Sequence, residues 1–193
     1  MSEAGVAAKK AAARERFRAL RTRTPSPHAA AVSAAIVDRV RALPEVEAAR
    51  VVHLFWPLPG EVDLRALAEV LAAEGRTVAL PVVVGRSLMH RRFDGASRLV
   101  AGAFGTRTPA DDAHAVEPGT IDVVLVPGLA AGRDGSRLGY GGGFYDRFLA
   151  GTRALRVGVV PSAALVDTLP TEPHDARLDV VVTEAETVRV VRR

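Results

Sequence analysis

The sequence predicts an α/β fold: a layered sheet, mostly parallel with one antiparallel hairpin, and helices on both faces. Three observations predict it. Short apolar, β-branched runs recur at Arg50 to Phe55, Thr77 to Val84, Ile121 to Val126 and Leu155 to Val160, each about as long as a buried strand. Helix-favouring stretches separate most of them, the alternation expected of a parallel sheet covered by helices. Between Thr77–Val84 and a return run at Ser87–Phe93 lies only Gly85-Arg86, a spacing that suits a hairpin.

The elements follow in order. Residues from about Ala7 to Leu20 favour helix, within a basic N-terminal helix placed at about 4–23. Pro25, Ser26 and Pro27 interrupt it, and a second helix is expected from His28 to Leu43, ended by Pro44. After the strand at Arg50–Phe55 the turn residues Pro57, Pro59 and Gly60 lead into a helix from about Val62 to Glu74, and the hairpin comes next. Residues 94–119 carry six Gly or Pro residues without periodicity and are expected as loop with room for one short strand. Ile121–Val126 is the strongest buried strand. Pro127-Gly128 stops it, with a glycine-rich segment just after. A helix at Phe144–Leu149 and strands at Leu155–Val160, Leu178–Val182 and Val188–Val191 complete the sheet.

At 193 residues, 48% of them hydrophobic, one domain spanning residues 1–193 is expected. No apolar run reaches 18 residues and no basic segment adjoins an apolar h-region, so neither a membrane span nor a secretory signal is expected and the cytoplasm is the natural location. The absence of cysteine excludes disulfides, thiolate nucleophiles and cysteine-ligated zinc, leaving carboxylates or imidazoles for any metal. A hard cation suits that set. Residues 1–23 hold seven basic side chains against Glu3 and Glu15, a local excess of five on a chain whose total is +4. Such a helix is a solvated face, a nucleic-acid arm or an anion-binding element.

The run Arg137, Leu138, Gly139, Tyr140, Gly141, Gly142, Gly143, Phe144, Tyr145, Asp146 has the layout of an anion site. Glycines let backbone N–H groups approach phosphate oxygens, a helix starting near Gly143 adds unpaired N–H groups, and Arg137 offers a fork of donors. A carboxylate such as Asp146 beside a triphosphate calls for a cation between them, which makes Mg²⁺ the economical choice. No Gly-Lys-Ser/Thr follows the glycines, and the third glycine of a dinucleotide fingerprint falls at Phe144, so neither a Walker nor a dinucleotide motif is present. Taken alone, the run is equally a flexible surface loop with a capping aspartate.

Longer stretches carry more. Val126 to Ala130, Arg133 to Gly135 and Arg137 to Arg147 resemble the signature of the 5-formyltetrahydrofolate cyclo-ligase family, also called methenyltetrahydrofolate synthetase. Lys10 to Arg14 resembles its N-terminal nucleotide-contacting segment, Gly60 to Asp63 its substrate segment, and Leu169 to Asp175 with Leu178-Asp179 its closing acidic motif. The resemblance implies that family's Rossmann-like fold and the ATP- and Mg²⁺-dependent closure of 5-formyltetrahydrofolate to 5,10-methenyltetrahydrofolate, releasing ADP and phosphate. It implies ATP contacts from Lys10, Arg14 and Arg137 to Tyr145, with Arg137 and Tyr145 as catalytic groups. Substrate contacts would come from Phe55, Trp56, Glu61 and the loop Tyr140 to Phe144, and Mg²⁺ would be held by Asp146 and Asp175. A monomer acting on ATP and folate, without membrane or nucleic acid, goes with this reading. Leu64, where the family often has threonine, and Thr108, where it often has an acid before proline, depart from the pattern. They motivate one alternative, a divergent member acting on another substrate; the basic helix motivates a second, a non-catalytic nucleotide- or nucleic-acid-binding protein.

Overall fold

The computed structural model describes residues 3–22 and 26–191, so Arg23 and Pro25, placed above at the helix end and in the break, lie outside the described residues. Along the chain come α1 (Glu3–Thr22), α2 (Ser26–Arg41), α3 (Pro44–Ala48), β1 (Val51–His53), α4 (Arg65–Ala73), β2 (Thr77–Val84), β3 (Ser87–Arg92), β4 (Leu99–Ala101) and β5 (Arg107–Pro109). Then follow β6 (Val123–Val126), β7 (Ala130–Gly132), β8 (Arg137–Leu138), α5 (Phe144–Ala150), β9 (Leu155–Val159), β10 (Leu165–Val166), β11 (Val180–Val182) and β12 (Thr187–Arg189).

A seven-stranded sheet in the order β12-β11-β9-β6-β1-β2-β3 forms the centre. Its five inner strands run parallel, and β12 and β3 close the two edges antiparallel. The physical reason is legible in β6, whose four residues are all buried, as a strand covered on both faces must be. Val123 and Leu125 point into a core completed by Ile36, Val46, Leu67 and Leu71 from α2, α3 and α4. Val124 and Val126 point the other way, onto Phe17 of α1 and Phe148 and Leu149 of α5. Two-residue periodicity thus sorts one strand's side chains into two cores, each fully covered Leu or Ile contributing roughly 1.5–3 kcal/mol.

Three expectations change. α2 stops at Arg41, short of the expected Leu43, and Pro44 instead opens α3, because the first helical turn has no use for the N–H that proline lacks. Residues 94–119 hold the paired strands β4 and β5 with short 3₁₀ turns around them. The glycine segment does not follow β6 directly: β7 and β8 form an intervening hairpin, and β10 joins it in a small three-stranded sheet. Its turn is held by Asp134 Oδ1, which accepts from Ser136 N (3.0 Å) and Ser136 Oγ (2.5 Å), and by Gly135 at φ +81°.

β1 lies between β2 and β6, so the chain winds outward in both directions from this strand. Crevices for ligands open at the carboxyl ends of strands at such a switch point. β1 runs there into residues 54–61 and β6 into Pro127-Gly128.

Candidate active site

Helix geometry places Lys10, Arg14, Arg18 and Arg21 on one side of α1, and all four reach toward this crevice. Lys10, only 5% exposed, donates to Glu172 Oε2 (2.6 Å) and to both oxygens of Asp175 (2.8 and 2.6 Å). Arg14 Nε donates to the Gly139 carbonyl (3.1 Å) and Arg18 Nη2 reaches the Tyr140 carbonyl (3.5 Å). Phe17, from the same helix, is buried in the second core and anchors it. The basic helix is therefore laid along the glycine segment. Of the four, only Lys10 and Arg14 were singled out from the sequence; the 3.6-residue period of the helix is the signal that extends the row to Arg18 and Arg21.

The glycine segment starts on β8 rather than in a loop. Arg137 is buried on that strand, its Nη2 donating to Asp146 Oδ1 (2.6 Å) and its Nη1 to the Pro127 carbonyl (3.3 Å). A side chain at Gly139 would meet Arg137 Nη1 at 2.8 Å, so glycine there leaves the guanidinium its place. Gly143 caps α5 at φ +65°. Leu138, expected among the nucleotide contacts, is a core side chain with no exposure, and its carbonyl accepts from Leu129 N (2.8 Å). Its neighbours, not its own side chain, border the crevice.

The two carboxylates expected to hold a metal, 29 positions apart in sequence, sit on neighbouring stretches of chain. Asp146 Oδ1 also accepts from Ala176 N (3.3 Å), which places it beside Asp175. Burial pushes the Asp175 carboxyl up, but the Lys10 ammonium and the Glu172 N–H (2.7 Å) outweigh it and hold the group below its usual range. Glu172, His174 and Asp175 offer ligand atoms within 4.8 Å of one another. Glu172 is an addition to the expected set, and its position three residues before Asp175 on one turn is the sequence signal for it.

On the substrate side, Glu61 and Tyr140 meet. The Tyr140 hydroxyl donates to Glu61 Oε1 and accepts from Arg21 Nη1, while Glu61 Oε2 accepts from Leu58 N (2.8 Å). Trp56 is half-buried, tilted against Phe93 with ring centroids 5.7 Å apart. Phe55, expected to offer a flat face to a ligand, is instead a core residue at 6% exposure, packed into the same core as its neighbour Leu54. Tyr145 Oη is buried without a hydrogen-bond partner among the described residues. Burial and the nearby Glu61 charge push this phenol upward, against a smaller opposing effect of Arg137, so it stays a protonated donor. Phe104, 75% exposed and at φ +58°, lies between β4 and β5 with its ring centroid 5.8 Å from that of Phe144. It went unnoticed in a stretch without periodicity.

Below α5, His53 and His90 stack against Phe148 with centroids 5.1 and 4.1 Å away. Both rings are buried inside the second layer rather than open to the crevice.

A model of the 5-formyltetrahydrofolate cyclo-ligase family matches residues 6–184. The chain belongs to that family. A 5-formyltetrahydrofolate cyclo-ligase of Mycolicibacterium smegmatis is 36% identical over 152 residues, covering 74% of this chain and 78% of that protein. One from Escherichia coli K12 is 34% identical over 155 residues, 77% of this chain and 85% of its own. The solution structure of an Aquifex aeolicus 5,10-methenyltetrahydrofolate synthetase superposes with a TM-score of 0.86 at 32% identity, covering 95% of this chain and 94% of the other. Against a Mycoplasma pneumoniae 5,10-methenyltetrahydrofolate synthetase the TM-score is 0.74 at 22% identity, over 91% and 98%, a likeness of fold. The cyclo-ligases of this family are ATP-dependent enzymes of folate one-carbon chemistry. Both departures from the cyclo-ligase pattern are packing residues: Leu64 is 1% exposed in the first core, and Thr108, also buried, donates its hydroxyl to the Pro81 carbonyl (2.9 Å).

Proposed function

We propose that this chain closes 5-formyltetrahydrofolate to 5,10-methenyltetrahydrofolate, using Mg²⁺ and ATP in the crevice between α1 and the Arg137–Asp146 segment. The observation that carries the reading is the row Lys10, Arg14 and Arg18 laid against the backbone of Gly139 and Tyr140 and against Asp175, with Arg137 facing Asp146 beneath it. It is a cationic row on a glycine-rich backbone with two carboxylates beside it. That combination suits a triphosphate with a divalent ion.

The formyl group on N5 is an amide, so its carbon is a poor electrophile and its oxygen a poor leaving group. Transfer of the γ-phosphoryl to the formyl oxygen, with ADP leaving, converts that oxygen into a phosphate ester. N10 then attacks the formyl carbon and gives up its proton, and phosphate departs with the C–O electron pair to leave the cationic methenyl bridge. The protein's tasks are alignment and charge neutralisation. Lys10 and Arg14 contact the phosphates, and Arg137, with a buried Nε that has no partner among the described residues, faces the transferred group. Tyr145 donates its buried hydroxyl in the same region. Trp56 and Glu61 border the pterin, whose N–H edge matches a carboxylate acceptor.

Asp146 and Asp175, hard oxygen donors with Glu172 beside them, fit Mg²⁺, which when bound would offset the triphosphate charge. Calorimetry tests this part: Asp146→Asn is expected to weaken Mg²⁺-dependent ADP binding by roughly 10- to 100-fold while the fold survives. Wild-type binding in that variant would remove Asp146 from the metal site.

A further inference from the structure

Arg21 stands at the far end of the basic row, away from Lys10, and makes contacts of a different kind. Its Nε and Nη2 donate to the Pro59 carbonyl (3.2 and 2.5 Å), and its Nη1 donates to the Tyr140 hydroxyl. That hydroxyl passes the bond on to Glu61 Oε1, which lies 3.8 Å from Arg21 Nη1. One guanidinium thus joins α1, the 57–61 loop and the glycine segment.

Glu61 needs such a partner. Its side chain is 6% exposed, and a carboxylate taken that far out of water is costly unless paired and hydrogen-bonded. One N–H from Leu58 and one O–H from Tyr140 bond to it; Arg21 supplies the neighbouring positive charge. The loop is shaped to admit that cation. Gly60 sits at φ +78°, and a side chain there would lie 2.9 Å from Arg21 Cγ and Nε. A lysine at position 21 could place a charge near Glu61 but could not reach Pro59 and Tyr140 together, since only the planar fork offers donors in both directions.

We propose that Arg21 is a positioning residue of the substrate side: it fixes the Glu61 carboxylate and the Tyr140 hydroxyl in the orientation that receives the folate ring. The inference rests on Glu61 as a substrate contact. Arg21 acts through these two groups and bonds to neither Lys10 nor the Asp146–Asp175 pair, so its loss falls on folate recognition rather than on the nucleotide.

Steady-state kinetics on the full chain test it, with Arg21→Leu, Arg21→Lys, Tyr140→Phe and Glu61→Gln beside the wild type. Quenching of Trp56, the single tryptophan, reports folate binding independently of turnover. Arg21→Leu is expected to raise KM and Kd for 5-formyltetrahydrofolate roughly tenfold, the loss of one charge-assisted hydrogen bond. Its kcat and its KM for ATP should stay within about twofold of wild type. Arg21→Lys should recover part of the affinity, and Tyr140→Phe should share the selective folate defect. A folate KM unchanged in Arg21→Leu and in Tyr140→Phe, while Glu61→Gln raises it, overturns the role of Arg21 alone. An unchanged folate KM in Glu61→Gln overturns the substrate-side reading and the Arg21 proposal with it. If Arg21→Leu does not fold, Arg21→Lys and Tyr140→Phe decide, and folate and ATP defects of equal size in both overturn the proposal.

Discussion

Lys10 Nζ lies 2.8 and 2.6 Å from the two carboxylate oxygens of Asp175, a residue 165 positions further along the chain. The pair is nearly dry, with side-chain exposures of 6% and 10%, and it ties the N-terminal helix to the loop after β10. A lysine expected on ATP phosphates and an aspartate expected on Mg²⁺ neutralise each other. Neither charge is left exposed.

Removing the cation leaves Glu172 and Asp175 partly buried without it. Lys10→Met is therefore expected to destabilise the fold by about 3–5 kcal/mol, the usual cost of breaking a buried pair from one side. Its KM for ATP should also rise at least roughly tenfold. Urea denaturation and initial rates check the two effects separately; wild-type values of both would place Lys10 outside the site and the pair outside the fold's energetics.

Acid should weaken the fold through His53 and His90. Burial pushes His90 from 6.5 down to about 4, and burial together with the charge of His90 pushes His53 well below 6.5. Both folded values lie under the unfolded one, so the unfolded chain takes up protons first as the pH drops. The stability these neutral rings contribute is full above about pH 6.5 and is lost as pH falls toward about 4. In urea unfolding followed from pH 7 to 4, His90→Leu should show a shallower acid decline than wild type. An unaltered slope would contradict the assignment.

The packing of Leu64 predicts how the family's common residue would behave here. Leu64→Thr puts a hydroxyl into an apolar core and removes volume, so a loss of about 2–4 kcal/mol is expected. Because the side chain faces the core, KM for 5-formyltetrahydrofolate should stay within about twofold. A changed substrate KM at unchanged stability would mean that position 64 shapes specificity.

Much of this was legible in the sequence, for identifiable reasons. β2 appears with its observed bounds because eight mostly β-branched and apolar residues end at a glycine turn. The roles grouped on Arg137–Asp146 came from a long ordered motif, and the structure brings Arg137 to Asp146, Glu61 to Tyr140 and Lys10 to Asp175. What stayed hidden had no local signal. β7 is Ala-Ala-Gly, residues with little strand preference, and exists through pairing with β8 and β10. Leu138 lies within a motif segment and Phe55 at the end of a strand run, yet both face cores, and neither signal distinguishes that from facing a ligand. Arg21 was within reach: it sits two helical turns beyond Arg14 on the same side, and only its partners on distant loops required coordinates.

The most direct test is the absorbance of the methenyl product in a reaction of purified protein, 5-formyltetrahydrofolate, Mg²⁺ and ATP, with each component omitted in turn. The account predicts product only in the complete mixture, with ADP and phosphate formed in equal amounts. Nucleotide binding without the methenyl chromophore, or product without ATP, would contradict it.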